Sequence, residues 1–132
     1  MNEILAKQLA IDFCTDVNSI LSKENVFTEY KQLEGRRIFK EGACYFKAAS
    51  VNGKIVASGR KDIIQWAREK FKTENGAWFM DMGCLHNLEG GLLKFHCRIG
   101  QAHPFYIATE KSDVDTKDYD IKIFIGDELE QF

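Results

Sequence analysis

His86 is the side chain in this sequence best placed for chemistry. It ends a run in which Trp78, Met80, Met82 and Cys84 recur at every second position, so on an extended strand it closes an apolar stripe. A neutral imidazole at the edge of an apolar pocket can act as general base or hydrogen-bond donor near neutral pH. The plainer alternative is a half-exposed histidine beside a turn. Other pairings offer less. His96 and Cys97 adjoin, but neighbouring strand residues point to opposite faces, which separates the thiol from its base. Asp12 and Asp16 lie one turn apart on a helical stretch, where carboxylates are ordinarily surface charge. Cys14, Cys44, Cys84 and Cys97 form no C-x-x-C pair, so no metal site is expected, and nothing calls for a cofactor. Gly90-Gly91 and Asn52-Gly53 read as turns, not as a phosphate cradle, because neither opens a helix after a strand at the required spacing.

The elements that must position these residues follow from the patterning. Leu5, Leu9, Phe13, Val17 and Ile20-Leu21 recur at helical spacing and predict an amphipathic helix over 3–21, with Asn2 as its cap. A second helix is expected over 25–33, carrying Phe27, Tyr30 and Leu33 and ended by Gly35. A strand at 43–50, the Asn52-Gly53 turn and a strand at 54–57 make a hairpin. A helix at 60–73 buries Ile63, Ile64, Ala67 and Phe71. Residues 77–100 then read as a long hairpin, with even apolar positions before Glu89-Gly90 and Leu93, Phe95, Cys97 and Ile99 after it. That register pairs Met82 with Cys97 and Cys84 with Phe95, and sets Asp81 opposite Arg98 on the other face. Further strands are expected at 105–110 and 119–125, the last alternating Tyr119, Ile121, Ile123 and Ile125. The fold class expected is therefore α+β: a bent, mostly antiparallel sheet of about six strands packed on three helices.

Composition narrows the function classes. A chain of 132 residues suits one domain spanning 1–132. Net charge is −2 and the basic pairs Arg36-Arg37 and Arg60-Lys61 are isolated, which argues against nucleic acid as a partner. No window approaches the roughly 18 apolar residues of a membrane span, and the N-terminus shows no signal-peptide pattern. A cytoplasmic protein with reduced thiols is the expectation. A Cys84–Cys97 disulfide across the ribbon is the rarer alternative.

The run Phe39-Lys40-Glu41-Gly42-Ala43-Cys44-Tyr45-Phe46, through Val51-Asn52-Gly53-Lys54, to Gly59-Arg60-Lys61-Asp62-Ile63-Ile64-Gln65-Trp66 resembles the nuclear transport factor two-like, or SnoaL-like, superfamily with its cystatin-like fold. Members often show a hydrophobic strand, a loop, then a Gly, a basic residue and an Ile opening the third helix. The resemblance implies a cone-shaped pocket between bent sheet and helices. It also implies an isomerase, dehydratase or related activity, or binding alone, and fold does not choose among them. Dehydratase-like members use two pocket histidines, whereas the expected register sets His86 and His96 on opposite faces. A secretion-chaperone-like α+β domain is the rival reading.

On these expectations Phe46, Trp66, Trp78, Met82, Phe95 and Ile123 line an apolar pocket for a small hydrophobic molecule, with His86 as the catalytic candidate. Tyr45, Phe79, Asp81, His96 and Arg98 fall on the outer sheet face. Mixed apolar and charged character there suits a two-fold homodimer interface. The alternative function is a non-enzymatic protein-interaction or accessory module.

Overall fold

The computed structural model describes residues 1, 3–37 and 45–103. The chain divides into two compact units, Met1–Gln101 and Ala102–Phe132, and every element below belongs to the first. The strands expected at 105–110 and 119–125, and Ile123 with them, lie outside the described residues, as do 38–44 and Asn2.

The first helical stretch folds as two pieces, α1 (Glu3–Asp12) and α2 (Val17–Leu21). The break has a local cause. Cys14 turns into left-handed backbone at φ 52°. The Asp16 side chain then accepts from Ser19 N at 2.8 Å and starts α2 afresh. The helix expected over 25–33 is instead strand β1 (Val26–Glu29). Short Val-Phe-Thr stretches favour extended backbone, and β1 pairs in parallel with β3 (Lys54–Gly59), Val26 against Val56 and Phe27 against Ala57. Strand β2 (Phe46–Val51) pairs antiparallel with β3 across the Asn52-Gly53 turn. Both turn residues have positive φ, 50° and 76°, as a two-residue hairpin turn requires. The sheet is thus mixed, in the order β1-β3-β2.

Strand β3 is buried along its whole length, so both faces of the sheet are covered. Ile55 and Ala57 join Phe27, Ile63, Ile64, Ala67, Phe71, Phe79, Leu88 and Leu92 on one side. Val56 joins Ala6, Leu9, Ala10, Phe13, Ile20 and Val51 on the other. The expected arrangement, with helices on one face and an open outer face, is corrected: helices lie on both. Helix α3 (Lys61–Phe71) matches its predicted span closely and buries the predicted stripe. Its C-terminal carbonyls are capped by Asn25, whose Nδ2 donates to Phe71 O at 2.9 Å and Glu74 O at 2.8 Å while its Oδ1 accepts from Ile55 N.

The largest correction concerns 77–100. The paired arms of the expected ribbon do not form. A 3-10 turn at Gly76–Trp78 leads into helix α4 (Met82–Leu92), followed by a second 3-10 turn at Leu93–Phe95. Two features decide for the helix. The Asp81 carboxylate accepts from Gly83 N at 3.2 Å and caps its start. Leu88 and Leu92, one turn apart, are the buried pair that anchors it. Gly91 is the contact that a turn reading hides: a Cβ there would stand 1.8 Å from the Trp66 ring. The bare backbone of α4 therefore seats against that indole. Cys84 and Cys97 remain free thiols.

The two adjacent glycines separate the helix from the hairpin by experiment. Gly91→Ala forces Cβ into the Trp66 ring and is expected to cost about 1–3 kcal/mol. Gly90 has nothing within 4 Å of a Cβ, so Gly90→Ala is expected to stabilise by up to about 1 kcal/mol through helix propensity. Thermal unfolding reads both, and destabilisation by Gly90→Ala would restore the turn.

Candidate functional site

The six residues expected to line a pocket do not gather. Phe46, Trp66 and Phe95 come together, but as packing. The Trp66 ring meets Phe71 edge-on at 5.7 Å and Phe95 at 5.9 Å, and all three expected lining residues pack against the core cluster built on Ile55 and Ile63. Trp78 and Met82 lie on the opposite side of the ledger, 68% and 80% exposed. Ile123 falls outside the described residues. His86 sits on α4, exposed, one turn after Met82.

The expected interface residues part company too, and none lies in a strand. Tyr45 is exposed beneath the Arg60 guanidinium, 5.6 Å from its ring centre. Phe79 is buried, its ring edge-on to Phe71 at 5.5 Å. Asp81 caps α4. His96 is exposed and ends the second 3-10 turn in left-handed backbone, φ 58°, and Arg98 is exposed beyond it.

What the structure does assemble is an apolar strip. Trp78, Met80 and Met82 are exposed within five consecutive residues, and Leu93 is exposed at the far end of α4. Phe79, between Trp78 and Met80, points inward. That anchor, with the Asp81 N to Trp78 O hydrogen bond of 2.9 Å, fixes the strip's direction. Trp and Met are the side chains that protein contacts favour: one large and rigid, the other polarizable and adaptable.

Two charges are buried against expectation: Asp12, expected as surface charge, and Lys54, which nothing in the sequence singled out. Asp12 is 1% exposed. Its Oδ1 accepts from Gln8 Nε2 at 3.0 Å and Arg37 N at 2.8 Å, and its Oδ2 from Arg37 Nε at 2.8 Å. Burial works to raise this carboxyl, but the Arg37 and Gln8 hydrogen bonds and the Lys47 charge outweigh it and hold it below the ordinary aspartate value. Arg36 reinforces the clamp, with Nε on Asp12 O at 3.0 Å and its guanidinium stacked 4.0 Å over Tyr30. Lys54 is 2% exposed, and its Nζ donates to Ser19 O at 2.5 Å. Desolvation lowers its pKa. The isolated Arg36-Arg37 pair was the one available signal for the first. A lysine following Asn-Gly gave none for the second.

Among the described residues no group of three or more His, Cys, Asp or Glu could hold a metal ion, and no helix is long and apolar enough to cross a membrane. Comparison with family models, curated proteins and solved structures finds no match. Among the described residues the arrangement thus presents two structural charge clamps and, around α4, exposed Trp78, Met80, Met82 and Leu93, with Ile4, Leu21 and Tyr45 exposed elsewhere.

Both clamps carry a pH signature. Asp12, lowered on folding, stabilises fully above the unfolded carboxyl value of about 3.9 and loses that contribution as pH falls through the folded value. Asp12→Asn should flatten the acid limb of the stability curve and cost about 2 kcal/mol at neutral pH, moderated because Arg37 is 62% exposed. Lys54 carries the opposite burden, since its charged form is disfavoured in the fold. Stability should rise as pH climbs toward the ordinary lysine value of about 10.4, and Lys54→Met should remove that rise. Urea melts across pH check both slopes.

Proposed function

We propose that this chain is a non-enzymatic protein-interaction or accessory module whose working part is the strip of Trp78, Met80, Met82 and Leu93. The observation that carries this reading is the exposure of Trp78 and Met82, 68% and 80%, on a segment pinned by buried Phe79, Leu88 and Leu92. An apolar strip on rigid backbone loses little entropy when a partner covers it. Leaving two such side chains in water also forgoes roughly 1.5–3 kcal/mol for each, a standing cost that a partner would relieve.

The rival reading, a pocket for a small hydrophobic molecule with His86 at its edge, draws less support. Phe46, Trp66 and Phe95, its expected lining, are occupied with packing, and His86 stands on the exposed face of α4. The finer nuclear transport factor two-like reading, with about six strands in a cone, draws its support from 46–71. There strand, Asn-Gly turn, strand, Gly59 and helix follow in the order that resemblance implies. Helix α4 stands where that fold has its first long strand.

Replacing Trp78 and Met82 with serine together should leave the melting temperature within about 2 °C of wild type, as exposed positions do. The same double variant should lose stoichiometric cross-linking to a partner in a native lysate. A thermal-shift screen of apolar ketones, acids and lactones should give no stabilisation. Stabilisation by any of them, with cross-linking indifferent to the double variant, would return the pocket reading.

A further inference from the structure

We infer that the partner is a second copy of this chain, joined through the exposed face of α4 in antiparallel fashion about a two-fold axis midway between Asn87 and Leu88. The inference rests on the interaction reading above and names its partner. Met82 and Leu93 are separated by about three helical turns, and backbone at Leu93 still holds helical angles, φ −57° and ψ −30°. The two exposed apolar side chains therefore share one face, with His86 and Glu89 between them.

Reversing a second copy about that axis brings the groups of this face into register. Met82 meets the partner copy's leucine equivalent to Leu93, and His86 lies level with the carboxylate equivalent to Glu89. Glu89 Oε2 accepts from Ile99 N at 2.6 Å, which holds that carboxylate in place on the helix. Gly90 faces open space, with nothing within 4 Å of a Cβ, and lets a second helix approach closely. The macrodipoles oppose one another, which is their favourable arrangement. Parallel pairing would instead set His86 level with His86 and Glu89 level with Glu89. A patch that complements itself under one two-fold rotation is what an isologous contact needs.

One short helix pair covers less than the roughly 800 Å² per partner of a standard interface, so association near the micromolar range is expected. Sedimentation of the full chain from about 1 μM to 1 mM should show concentration-dependent dimer. Met82→Glu should weaken it at least about tenfold while leaving the melting temperature of the dilute monomer unchanged, since Met82 is 80% exposed. With the native cysteines replaced by serine, since Cys84 and Cys97 are free thiols near this face, Met82→Cys combined with Leu93→Cys should yield under oxidation a disulfide-linked dimer that neither single variant gives. Within one chain those sites are about 16 Å apart along the helix, too far to bond to each other. A link formed by Met82→Cys alone would overturn the antiparallel geometry. A monomer at every concentration would overturn the dimer. If that monomer still cross-links a different protein through Trp78 and Met82, the interaction reading stands without this inference. If it captures nothing, both fall.

Discussion

Everything described here hangs on a strand that water cannot reach. Strand β3 carries no charge or turn residue between Lys54 and Gly59, and its six residues are all buried. Its alternation distributes side chains to two cores: Ile55 and Ala57 to one, Val56 to the other. With both faces claimed, β1 and β2 have one place each, on either edge, and the helices must divide between the two sides. Lys54 shows how strictly this is enforced. Even a lysine at the strand's mouth is drawn inside, where it survives by donating to the α2 carbonyl of Ser19.

The second constraint is how closely α4 approaches α3. Trp66 projects from α3 and fills the space a side chain at Gly91 would need. The indole is in turn bounded by Phe71 and Phe95. Close helix contact of this kind takes up the aromatic residues expected to wall a cavity. Dense packing leaves voids rarely larger than a water, and the three aromatics that come together do so as one packed cluster.

The sequence was legible where local chemistry and burial agreed. The Asn52-Gly53 hairpin and the α3 stripe of Ile63, Ile64, Ala67 and Phe71 were readable because turn type and periodicity both speak directly. Residues 77–100 were misread for a physical reason. Trp78, Met80, Met82 and Cys84 alternate, but alternation of apolar residues marks a strand only when they are buried on one face. Here Trp78, Met80 and Met82 are exposed, and burial falls on Phe79 and on Leu88 and Leu92, the last two one helical turn apart. The carboxylate of Asp81 looked like one member of a cross-strand charge pair and is instead the helix cap. Strand β1 was missed because four residues carry too little periodicity to reveal a period, and its parallel partner lies about 30 residues away. Asp12 was taken for surface charge. Its burial depends on Arg36 and Arg37 folding back from a distant loop, and no spacing rule within α1 announces that.

The interior groups of the described fold are committed to packing and to tethers. Two cores take up Phe13, Phe27, Phe71 and Phe79, and the buried charges are held by partners that fix structure. Asp12 binds a loop to α1, and Lys54 binds α2 to the sheet. A buried charge so fully engaged is a poor reagent, since any proton it gives up would also release a tether. Met82 and Leu93, at the two ends of α4, are exposed and take no part in either core. A helix anchored by Leu88 and Leu92 could as easily present polar side chains to water at Met82 and Leu93 without disturbing the fold. Their apolar character is therefore not required by the core, and the contact that would use it must come from outside the described fold.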